Sequence, residues 1–306
     1  MTTILVGVDA SERSLDAIAF TRLLAMTSDA SVLLTCAFPY EDAPSRISNP
    51  PFRQELERDA LQTVERMSAE LGDLGDGRVR TAVIARTSPA HGLHDVAERE
   101  HSDLIVVGST HVGAARRVMP GSTGKRLLNG AMCSVVVVPK DYRRVPHAFR
   151  SVGVAYDGSP EAEGALRAGV DVARATRAEL RVIRVLDTLG YASSTMMAGA
   201  AYPTFREETE QALQEDLDAT LDRLPADVSA QSVLTAGDPA RELAELSSGL
   251  DLLIAGSRGY GPLRAVLVGD VSGRLVHGAA CPVVVIPRGV ESPFGRLFAG
   301  TAEAPA

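Results

Sequence analysis

Two aspartates end nearly matching apolar runs: ILVGVDAS at 4–11 and VGVAYDGS at 152–159 place Asp9 and Asp157 148 residues apart. A carboxylate at the carboxyl end of a strand suits recognition of ribose hydroxyls. Further along the second copy the chain reads DLLIAGSRGYGPLRAVLVGDVSGRL, with Gly259 three residues after Gly256 and Gly269 ten after that. Glycine lets backbone approach a phosphate with no β-carbon in the way, and amides at a helix start point outward at an anion. In an open parallel sheet such a loop lies where ligands bind. The chemistry that fits is capture of a nucleotide phosphate. Glycines also simply make turns, so spacing alone leaves both alternatives open.

The first copy reads GSTHVGAARRVMPGST, which keeps Gly108, Gly121, Ser122 and Thr123 and adds Lys125, but has His111 where the second copy has Gly259. If that position needs positive φ, a β-carbon there costs about 1–3 kcal/mol; if only its amide is used, histidine is tolerated. Gly113 offers an alternative turn, and Arg116 and Arg117 either assist an anion or are solvated surface. The second copy has Asp270 where the first has Ser122, a carboxylate in place of a hydroxyl that could donate to phosphate. A like-charge contact at ~4 Å costs ~4 kcal/mol at an effective dielectric of ~20, more than the ~0.3–1 kcal/mol a helix terminus supplies. Unless a bridging Mg²⁺, Ser272, Arg258 or Arg264 offsets it, Asp270 weakens a triphosphate, and a solvated aspartate at a helix start is the alternative. Pattern favours the second site and local charge the first.

Other signals do not build a catalytic centre. Gly121-Ser-Thr-Gly-Lys125 resembles a P-loop, but Met119 and Arg126 stand where glycine and a hydroxyl are required. His91 and His94 have Asp95 beside them and no third metal ligand, so the identity of any metal stays unknown. No G-x-S-x-G elbow and no defensible base–nucleophile pair occurs.

The elements that position these residues repeat with the same offset. DLIVVGST from Asp103 returns as DLLIAGSR from Asp251, and AMCSVVVVP as AACPVVVIP. A repeat this long closes its own core. Strands are expected at Ile4–Val8, Val32–Phe38, Val79–Ala85, Leu104–Val107 and Val135–Val138. In the second copy they are expected at Val152–Tyr156, Leu180–Leu186, Ala230–Thr235, Leu252–Ala255 and Val283–Ile286. Apolar runs separated by amphipathic segments argue for parallel strands covered on both faces by helices. Ser159-Pro160-Glu161 reads as a helix start, and Ser11-Glu12 as a weaker one. The expected boundaries are a first domain at 1–140, a linker at 141–150, a second domain at 151–288 and a flexible tail at 289–306. The connections Pro39–Phe52 and 191–205 read as variable loops.

The 306 residues carry 31 Lys+Arg against 39 Asp+Glu, with no Trp and 4% aromatics, which argues against nucleic acid as a partner. No apolar run reaches the ~18 residues of a membrane span, so no membrane partner is expected, and with no leader pattern at Met1 the expected location is cytoplasmic. Cys36, Cys133 and Cys281 lie in or beside apolar runs and read as buried thiols.

The first-strand aspartate, the G-x2-G-x9-G loop and the closing apolar strand, each present twice, give the chain a clear similarity: it resembles a tandem member of the universal stress protein family, covering all but linker and tail. The resemblance implies an α/β fold of two tandem open-sheet domains of the adenine nucleotide alpha hydrolase-like type. Each would be a five-stranded parallel sheet of order 3-2-1-4-5 with helices on both faces. It implies pairing of the halves through their last strands and, in one branch, ATP bound with Mg²⁺. It places Asp157 by ribose and adenine, Val185 at the adenine edge, and Gly256, Gly259 and Gly269 around the phosphates. The first-half counterparts are Asp9, Ala37, Gly108, Gly121 and Ser122. The leading expectation is an adenine-nucleotide-binding regulatory protein of the stress response without evident catalysis. The alternatives are a tandem scaffold for protein partners with degenerate sites, and a slow ATPase; a homodimer through free strand edges also stays open.

Overall fold

The computed structural model describes residues 2–40, 49–72, 74–75, 77–110, 118, 120–130, 132–145, 148–188, 202–257, 270–287 and 293–298, with 202–205 and 270 described by backbone alone. In the first half β1 (Thr3–Gly7), α1 (Glu12–Met26), β2 (Ser31–Phe38), α2 (Pro50–Glu70), β3 (Val79–Ala85), α3 (Pro89–Arg99), β4 (Leu104–Gly108), α4 (Ser122–Leu128) and β5 (Ser134–Val138) follow one another. The second half repeats the order with β6 (Ser151–Ala155), α5 (Pro160–Thr176), β7 (Glu179–Asp187), α6 (Tyr202–Asp222), β8 (Ala230–Gly237), α7 (Pro239–Leu246), β9 (Leu252–Gly256), α8 (Asp270–Leu275) and β10 (Val283–Ile286). A short α9 (Pro293–Arg296) comes last.

All ten strands share one sheet in the order β3-β2-β1-β4-β5-β10-β9-β6-β7-β8. Each half is therefore a parallel block of order 3-2-1-4-5, the arrangement that helical crossovers between apolar strands permit. One face buries apolar residues of α1, α2, α5 and α6. The other buries those of α3, α4, α7 and α8. The blocks meet at β5 and β10, which pair antiparallel with Val135, Val136 and Val137 opposite Val285, Val284 and Val283. Antiparallel pairing of two like strands is what a two-fold relation between the halves produces. Because successive side chains alternate in facing, Val136 and Val284 enter one core and their neighbours the other.

Segments outside the strands return to the first helix of each half. The buried Asp16 of α1 accepts hydrogen bonds from the backbone N–H of Asp141 at 3.0 Å and of Arg143 at 3.1 Å. Tyr142 and Phe149 in the linker pack edge-on against Phe20, with ring centroids 5.8 and 6.2 Å apart. The chain after β10 does the same on α5, which corrects the expectation of a loose tail for residues 293–298. Phe294, Leu297 and Phe298 are buried in the core, and the two rings meet edge-on at 5.7 Å. Phe298→Ala is expected to cost about 3–5 kcal/mol, the usual range for deleting a buried ring. A lowered urea midpoint checks it, and an unchanged midpoint would mean the segment does not pack.

Candidate functional site

Each half opens a cleft at the carboxyl ends of its strands. The second measures about 330 Å³. Its walls come from Tyr156 and Asp157 after β6, Ile183 and Val185 on β7, Pro239 and Leu243 on α7, Gly256 closing β9, and Val271, Ser272 and Leu275 on α8. Four of the expected residues, Asp157, Val185, Gly256 and Ser272, are thus gathered around one space. Alternation along β7 turns Ile183 and Val185 to the same side, giving an apolar wall. The backbone N–H of Ser159 donates to Asp157 Oδ1 at 2.9 Å, and the Ser159 hydroxyl accepts from the Ala162 N–H at 3.2 Å to cap α5.

The first cleft measures about 90 Å³, and Asp9, Ala37, Gly108, Gly121 and Thr123 line it together with Arg13, Ser14, Thr35 and Leu93. Ser122 heads α4 beside this space without lining it. Arg13 reaches back one helical turn: its Nε donates to Asp9 Oδ2 at 3.0 Å, and its terminal Nη2 contacts the same oxygen. On Oδ1, Asp9 accepts from the Ser11 N–H at 2.9 Å, from the Ser11 hydroxyl and from the Ser14 hydroxyl at 3.0 Å. Burial pushes the Asp9 carboxyl up, but the hydrogen bonds from Arg13 and Ser11 outweigh it and hold the group at about 2. The residues at the matching second-half positions are Glu161 and Ala162.

Gly108 and Gly256 have a structural reason to be glycine that is separate from any phosphate. A β-carbon on Gly256 would lie 2.6 Å from the Glu161 carbonyl oxygen, and one on Gly108 would collide with the carbonyl of Arg13. Neither residue has positive φ, so close approach of the first turn of α5 or α1 is what excludes a side chain. The clefts are narrow at this end because strand and helix backbones touch. Gly259, Gly269 and His111 lie outside the described residues, as do Arg116, Arg117, Arg258, Arg264, 41–48 and 191–201. Asp270 begins α8, and only its backbone is described.

A second repeated contact ties the last helix before the closing strand of each half to the start of the helix preceding it. Arg274 of α8 pairs with Asp238, the cap of α7, whose Oδ1 also accepts from the Arg241 N–H at 3.0 Å. At the same place in the first half, Arg126 of α4 donates to the hydroxyl of Ser88, the residue capping α3, at 3.3 Å. Sequence reasoning passed over Arg13, Arg274 and Tyr156. Aligning the two copies residue by residue would have flagged Arg13, since its partner position holds the opposite charge. The cysteines are buried thiols, and burial pushes Cys36 up to about 11 and Cys133 to about 12. Among the described residues no group of three His, Cys, Asp or Glu gathers to hold a metal, and no helix is long and apolar enough to cross a membrane.

Comparison with known proteins agrees with this architecture. The family model described as Universal stress protein family matches residues 1–139 and again 148–287. A universal stress protein of Mycolicibacterium smegmatis is 30% identical over 293 residues, 92% of this chain and 96% of that one. Another from Mycobacterium tuberculosis strain H37Rv is 32% identical over 187 residues, a match spanning 60% of this chain and 61% of that relative's length. Among solved structures, a universal stress protein from Archaeoglobus fulgidus superposes with a TM-score of 0.65 at 20% identity, covering 94% of this chain and 98% of that one. At that identity the likeness speaks for the fold.

Proposed function

Since the chain belongs to the universal stress protein family, we propose that its second cleft binds an adenine nucleotide, ATP together with Mg²⁺. Occupancy, with no catalysis of its own, is then how the protein acts in the stress response. The observation that carries this reading is the cleft of about 330 Å³ that gathers Asp157, Val185, Gly256 and Ser272. Its volume lies within the ~300–1,000 Å³ range of small-molecule sites, which are mostly apolar with a few placed polar groups. Ile183, Val185 and Leu243 supply an apolar slot for a flat base. Asp157 supplies an acceptor for ribose hydroxyls, and Ser272 a hydroxyl on the helix facing Gly256. Bound Mg²⁺ would supply counter-charge to the polyphosphate.

On this reading the two domains, 1–140 and 151–288, work as one unit in the cytoplasm. Calorimetric titration of MgATP into the chain tests the proposal. Saturable binding is expected, weakened roughly ten- to hundredfold in Asp157→Ala, the loss typical of a hydrogen bond to a charged group. A flat titration with the folded protein would leave a scaffold for protein partners.

A further inference from the structure

We propose that Arg13 closes the first cleft, so that the chain takes a single nucleotide, in its second half. This inference rests on the nucleotide reading of the second cleft and adds the residue that distinguishes the two halves. Three features of the first cleft set it apart from the second.

The first is saturation of the carboxylate. An ionised carboxylate offers about four lone-pair sites. Asp9 receives five donors, from the Ser11 N–H and hydroxyl, the Ser14 hydroxyl and two nitrogens of Arg13. A ribose hydroxyl arriving at Asp9 finds its acceptor positions filled. The Arg13–Asp9 pair is about 40% exposed, so its strength as an ion pair is modest. What matters is that the acceptors are in use.

The second is space. About 90 Å³ holds only a few waters, whereas about 330 Å³ in the second half is the size of a small-molecule site. The guanidinium takes up part of the missing volume, since Arg13 Nη1 lies 3.7 Å from where a β-carbon on Gly121 would stand. It thus reaches across from Asp9 toward the residue that the glycine pattern assigns to phosphate. The third is the exchange at matched positions. Arg13 and Ser14, which hold Asp9, become Glu161 and Ala162 in the second half, and neither replacement can donate a hydrogen bond from its ionised or apolar side chain. Thr35, whose buried hydroxyl finds no hydrogen-bond partner among the described residues, likewise becomes Ile183.

The test is the stoichiometry of MgATP binding by calorimetry on the full chain, in the wild type, in Arg13→Ala, and in each of these with the second cleft narrowed by Val271→Trp. The expected ratios are one for the wild type and two for Arg13→Ala; Val271→Trp is expected to keep a single site of weakened affinity, and the double variant one site of unchanged affinity beside one weakened site. A wild-type ratio of two, or Arg13→Ala remaining at one, overturns the role of Arg13 and leaves the nucleotide reading standing. A ratio of zero for the wild type with one for Arg13→Ala does the reverse. No binding to any variant overturns both. Carbon-detected NMR of the Asp9 carboxyl gives a second readout that needs no nucleotide. In Arg13→Ala the group should titrate higher than its wild-type value of about 2, and an unchanged titration contradicts the clamp.

Discussion

Val136→Asp is expected to abolish the cooperative unfolding transition of the chain. Val136 is fully buried at the centre of the seam, opposite Val284 and between β4 and β10. An unpaired carboxylate there has no hydrogen-bond partner within an all-valine register, and burying such an ion costs several kcal/mol even after relaxation. Whole domains of this kind are stable by only about 5–15 kcal/mol, so one such charge consumes much of the total. Far-ultraviolet circular dichroism through a urea gradient reads the effect. An unchanged midpoint would contradict burial of Val136 between the strands of the sheet and the helices that cover it.

The second large effect is on binding. Val271→Trp is expected to weaken MgATP roughly five- to 150-fold, the equivalent of the 1–3 kcal/mol that overpacking typically costs. Val271 sits on α8 at the cleft wall and is 40% exposed, so the indole enters the space without disturbing the core. The unfolding midpoint of the unliganded protein should therefore stay near the wild type, as surface substitutions usually leave it. Equal MgATP affinity in the two proteins would place the nucleotide elsewhere.

The framework was legible because burial on both faces writes itself into composition. Runs such as SVVVV in β5 have no alternative to a central strand, and Ser159-Pro160 marks the start of α5 by a hydroxyl and a ring that suit its first turn. Strand ends were harder. β7 and β8 run to Asp187 and Gly237, beyond the last apolar residues, because ladder pairing between neighbours continues after the apolar pattern stops. The packed end of the chain departs from the expected loose tail for a similar reason. Its small residues and prolines dominate the composition, while the informative feature is Phe294 and Phe298 four apart, which places both rings on one side of a single turn.

At the site, the glycines and aspartates were visible as a repeated pattern, but the pattern treats the two copies as equivalent. What makes them unequal is a side chain reaching from i+4 back to i at Asp9, a contact between residues that flank the motif. The glycine motif gave a further misleading emphasis. Gly108 and Gly256 stand where helix backbone presses on strand backbone, so their identity follows from packing whether or not a phosphate is present. Tyr156, Leu243 and Val271, which also line the second cleft, stand far apart in the sequence, and only the fold brings them together.

The most direct measurement is the electron density of the protein crystallised with excess MgATP. Density for one nucleotide lying against Val185, Gly256 and Ser272, with Arg13 still on Asp9, is what these contacts predict. A second cleft filled only by solvent, or a nucleotide seated against Asp9 instead, would contradict them.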